Sequence, residues 1–108
     1  MQFAVRVLAL IDRLPKSIAG RTVGGQLARA ATSVAANYRA ALRGKSRADF
    51  INKITIVLEE ADESEFWLTL IQEAALLDDP EIQSLRAEAN ELTRIFNATR
   101  TTARTPKS

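Results

Sequence analysis

The sequence contains no histidine and no cysteine, and only 6% of it is aromatic. Without imidazole there is no His-based acid–base catalysis, no serine or cysteine triad of the usual kind, and no Glu-x-x-His metal pair. Without thiols there is no disulfide framework and no thiolate chemistry, which fits a reducing compartment. Four glycines and three prolines leave few obligatory breaks. The pair Gly24-Gly25 has neither a preceding strand nor a following Lys-Ser/Thr, so it is not a phosphate-cradling loop. No apolar run is long enough to span a bilayer, and the start, MQFAVRVLALIDRLP, carries an Arg and an Asp within its short apolar segment. The chain therefore reads as soluble and cytoplasmic, with no cofactor and no small-molecule substrate.

What is present is a globular composition in 108 residues, 46% of them hydrophobic and 26% charged. That is enough for one domain with its own core, expected over residues 1–100 with a disordered basic tail over 101–108. The longest uninterrupted stretch, Ser46 to Leu77, has no Gly or Pro and reads as one helix. Ser46 and Asp49 resemble a capping box at its start. Phe50, Ile54, Val57, Ala61, Leu68, Ile71 and Ala75 recur with the period of a buried face. A second apolar row, Ile56, Trp67, Leu70, Ala74 and Leu77, lies on another side; it reads as further core of the bundle or, in preference, as an oligomer interface, since aromatics are enriched at such contacts.

Before this stretch, Phe3 to Leu14 forms a short helix that Pro15 ends. A connector loosened by glycines, Lys16 to Gly25, within which the next helix begins anywhere from Ile18 to Gly25, leads to a helix secure from Gln26 to Arg43, with Val23, Leu27, Ala30, Val34, Tyr38 and Ala41 inward. Gly44 is a natural stop, so these two long helices are joined by a tight turn and lie antiparallel. At equal rise per residue, facing positions sum to about ninety, which sets Arg29 level with Glu60 and Glu63. A partly buried ion pair is expected there. Asp78-Asp79-Pro80 opens a last helix with Ile82, Leu85, Ala89, Leu92, Ile95 and Phe96 inward, expected to end near Ala98. The fold class is all-α: an up-down-up-down antiparallel four-helix bundle with a short first helix.

Charge is segregated along the chain. Residues 1–58 hold ten cations against Asp12 and Asp49, and residues 59–91 hold eleven acids against Arg86. Side-by-side packing of these blocks is expected to neutralise much of this. The acids Glu59, Glu60, Asp62, Glu63 and Glu65 point several ways on a helix and read as a solvated face plus a partner for Arg29, not as a metal site. Arg39, Arg43, Lys45, Arg47 and Lys53 gather around one turn and read either as a phosphate-binding end or as an ordinary solvated turn.

Gln26-Leu27-Ala28-Arg29, Ser33 to Arg39, Ser46 to Lys53 and Glu60 to Leu68 together resemble a known bacterial family, the proteins encoded by intervening sequences within 23S rRNA genes. The resemblance implies a four-helix bundle assembled into a ring, with five subunits, and no assigned enzymatic activity. A related branch is similar to the accessory proteins of diversity-generating retroelements, which implies RNA or a reverse transcriptase as partner. The first helix is shorter than is usual in the family, and Ala40 stands where a Glu is common. Two functions follow as expectations: a non-enzymatic homo-oligomer that adapts RNA or nucleoprotein, or a scaffold for protein partners alone.

Overall fold

The computed structural model describes residues 2–106. Four helices follow one another: α1 Gln2–Ile11, α2 Ile18–Leu42, α3 Arg47–Glu73 and α4 Pro80–Arg104. α2 packs on α3, α3 on α4, and α1 closes the bundle between α2 and α4. The result is an elongated body of 53 × 20 × 19 Å.

Each helix starts where its sequence supplies a cap. Ser17 Oγ accepts from Gly20 N at 3.1 Å, Ser46 Oγ from Asp49 N at 3.1 Å, and Asp79 Oδ1 from Glu81 N at 2.9 Å. These bonds satisfy first-turn amides that have no partner within the helix. α2 thus begins at the early limit of the expected range. Gly20 and Gly24 are packing positions there: the α1–α2 turn lies against their missing side chains through Pro15, Leu14 and Ile11.

The structure corrects several boundaries. α1 stops at Ile11 because Arg13 and Leu14 amides bond three residues back, to Leu10 and Ile11, in a tight turn that folds Leu14 into the core. α3 stops at Glu73, one turn before Leu77. Ala75 takes φ 54° and Leu76 N bonds Ile71 O at 3.0 Å, so the chain reverses and tucks Leu76 and Leu77 back onto the core. Ala75, expected on the buried face, is exposed. α4 runs past Ala98 to Arg104, since the Arg47 guanidinium caps its end by donating to the carbonyls of Ala103 and Thr105. Of the tail expected to be disordered, 101–104 are helical; Lys107 and Ser108 lie outside the described residues.

A non-glycine residue in the left-handed region costs about 1 kcal/mol relative to glycine. Ala75→Gly is therefore expected to stabilise the fold by about that amount. Its urea-unfolding midpoint should rise, with the denaturant slope unchanged.

The core has two parts. One joins all four helices through Phe3, Val7, Leu10, Leu27, Leu68, Ile71, Ile82 and Leu85. The other, Val34, Ala41, Ile54, Val57, Ala61 and Phe96, joins α2, α3 and α4 only. Tyr38 and Ile95, both expected inward, are partly exposed beside this second part, because α1 is too short to cover them.

Candidate nucleic-acid interface

The antiparallel course of α2, α3 and α4 brings the end of α2, the start of α3 and the end of α4 to one pole of the bundle. Arg39 lies in the last turn of α2, Arg43 is its C-cap residue, Lys45 lies in the turn, and all three are exposed. Arg104 closes α4 at the same pole. Two of the cations singled out from sequence are engaged locally. Arg47 is spent on the α4 cap, and Lys53 lies 4.0 Å from Asp49.

The remaining ion pairs of the described residues lie elsewhere. Arg6 holds Glu81 and Glu88, Arg13 holds Asp79 at 3.1 Å, Arg86 holds Glu65 at 3.4 Å, Arg29 holds Glu60 and Glu63, and Arg94 holds Glu91. Arg39, Arg43 and Lys45 stand outside every one of these pairs. Ion pairs thus run along the middle and reach the opposite pole through Arg13 and Asp79, where the exposed Lys16 and Arg21 share a cleft with Asp12. Arg100 shares a cleft with Glu59 and Asp62 and adds less to the basic surface than its sequence position suggests.

Arg29 Nη1 donates to Glu60 Oε2 at 2.8 Å, and Nη2 meets Glu63, at the level set by the turn. The Arg29 side chain is 49% exposed and that of Glu60 15%. With that much water at the guanidinium, the link is worth less than the 3–5 kcal/mol of a truly buried pair. Arg29→Ala should lower stability by about 1 kcal/mol in thermal unfolding. The acidic cluster divides: Glu60 and Glu63 turn to α2, Glu65 to α4, and Glu59 and Asp62 to solvent.

The expected interface row does not form one strip. Trp67, Leu70 and Leu77 pack against the core, Ile56 is half-buried, and Ala74 and Leu77 lie past the end of α3. Trp67 donates to Glu63 Oε2 at 3.3 Å, and Phe66 sits edge-on to it at 4.9 Å between centroids. Of these two aromatics Phe66 is the outer one, 53% exposed. The sequence reading missed Leu42 and Ile95 as surface residues. The signal was available in the length of the first helix, which is too short to shield both ends of its neighbours.

With this geometry in place, the chain belongs to the 23S rRNA-intervening sequence protein family, whose model matches residues 1–98. A solved structure from Bacteroides thetaiotaomicron VPI-5482, described as a protein with unknown function from the S23 ribosomal protein family, is similar at 33% identity and TM-score 0.84. The similarity covers 93% of this chain and 89% of that one. No curated protein matches the chain. Among the described residues no helix is long and apolar enough to cross a membrane.

Proposed function

We propose that this member of the 23S rRNA-intervening sequence protein family is a non-enzymatic, self-associating bundle whose basic pole binds the phosphate backbone of RNA. The observation that carries the reading is the set Arg39, Arg43 and Lys45, exposed together at one pole and outside every ion pair of the described residues. Backbone phosphates are the ligand such a surface suits, because exposed cations spaced along a helix end and the turn after it can meet a repeating anion without reading its bases. No row of exposed aromatics runs between these cations, so base stacking is not part of the reading. A ring of five subunits would repeat the pole five times and multiply its avidity. A reverse transcriptase, the partner implied by the likeness to retroelement accessory proteins, would then be met through shared RNA.

Titration of labelled single-stranded RNA across a salt series tests this. The logarithm of affinity should fall linearly with the logarithm of salt, and Arg39→Gln/Arg43→Gln/Lys45→Gln should flatten the slope by about two. Salt-independent binding, or an unchanged slope in the triple variant, would leave the protein scaffold as the better function. Native mass spectrometry on protein purified without nuclease reports subunit number and bound RNA in one spectrum.

A further inference from the structure

α1 has 10 residues, whereas α2, α3 and α4 have 25, 27 and 25. At ~1.5 Å per residue, α1 shields about 15 Å of the long axis and leaves one quarter of the bundle vacant beyond its first turn. That first turn, with Gln2, Phe3 and Ala4, borders a cavity of about 280 Å³ reaching Ala35, Tyr38 and Leu92. From there the row of α2 that lies under α1, Gly24, Ala31 and Ala35, continues at helical spacing to Leu42. The row of α4 that Arg6 grips, Glu81, Ser84 and Glu88, continues to Ile95 and Thr99. Leu42 is 66% exposed and Ile95 47%. Phe96 and Ala41, both buried, form the floor, and the Tyr38 ring leans on Phe96 at 5.4 Å between centroids.

The groove is therefore the place α1 would occupy if it were as long as its neighbours. Its α2 wall is followed by Arg39 and Arg43, and Lys45 stands at its open end, while Glu91 on the α4 side is held by Arg94. We infer that the groove between α2 and α4 takes an amphipathic helix of a partner protein, in line with α1, with its apolar side on Tyr38, Leu42 and Ile95 and its acidic side toward Arg39 and Arg43. A separate acidic helix suits it better than a second copy, whose corresponding face carries the same exposed cations Arg39, Arg43 and Lys45. Helix-in-groove recognition of this kind reads apolar anchors at i, i+3 or i+4, and i+7. The flanking cations select acidic partners and speed their approach. This inference goes beyond the RNA reading and shares Arg39 and Arg43 with it, while its apolar anchors Tyr38, Leu42 and Ile95 are its own.

The test is fluorescence anisotropy of a synthetic 14-residue peptide with leucines at that spacing and glutamates along one flank, against a scrambled peptide of the same composition. The expected result is saturable binding of the patterned peptide only, weakened at least about tenfold by Leu42→Gln/Ile95→Gln. These neutral changes at exposed positions should leave thermal unfolding and RNA affinity as they are, which separates the groove from the basic pole. Three results overturn the inference: no binding at about 1 mM protein, equal binding of the scrambled peptide, or no loss in the double variant. A fourth does so as well, namely a wild-type oligomer that the double variant converts to monomer, since a second copy then covers the groove.

Discussion

Gly20→Ala should cost about 3 kcal/mol of folding free energy, lowering the melting temperature by about 15 °C. A Cβ at Gly20 would sit 2.0 Å from the carbonyl oxygen of Pro15 and 3.3 Å from Ser17 Oγ. The first obstacle is backbone, so relief requires moving the whole turn that carries Leu14 into the core. The Ser17 cap of α2 hangs on the same geometry and would loosen with it. Gly25 supplies the control. It lies in the same helix with nothing within 4 Å of its missing side chain. Gly25→Ala should raise stability by about 0.5–1 kcal/mol, the usual gain from removing glycine in a helix interior. Opposite signs from one substitution five residues apart would show close packing at Gly20. A neutral Gly20→Ala in differential scanning calorimetry would mean that the turn runs elsewhere.

Leu68→Ala should cost about 3 kcal/mol, from lost transfer free energy and the cavity left behind. Leu68 is fully buried in the four-helix part of the core. Two residues earlier, Phe66 points the other way and is 53% exposed. Phe66→Ala should stay within about 0.5 kcal/mol, although it removes the larger side chain. Guanidinium titrations of both variants decide which face of α3 is inward. Comparable losses would put Phe66 in a core contact that its exposure excludes.

Periodicity and punctuation carried most of the fold. The apolar rows of α3 and α4, the caps at Ser46 and Asp79 and the tight turn after Leu42 are local patterns, and each acts over the few residues it occupies. The level of Arg29 with Glu60 and Glu63 also followed from sequence, because a short antiparallel turn leaves little freedom of register. Boundaries fared worse where a distant element decided them. Arg47 extends α4 from 56 residues away in sequence. Gly20 and Gly24, read as a loose connector, are helical because the α1–α2 turn packs on them.

The candidate sites divide along the same line. Five cations around one turn were visible as composition; that Arg47 and Lys53 are engaged while Arg39, Arg43 and Lys45 are not emerged only from the assembled bundle. Adjacent aromatics on a helix do not announce their directions, and only packing set Trp67 against the core and made Phe66 the outer ring. By itself the sequence determined the class, the helix count, the chain order around the bundle and the family, since these rest on short-range pattern. Only the tertiary structure decided which charges stay unpaired and which apolar residues stay uncovered, because both depend on what a neighbouring helix reaches, and α1 reaches only part of the way.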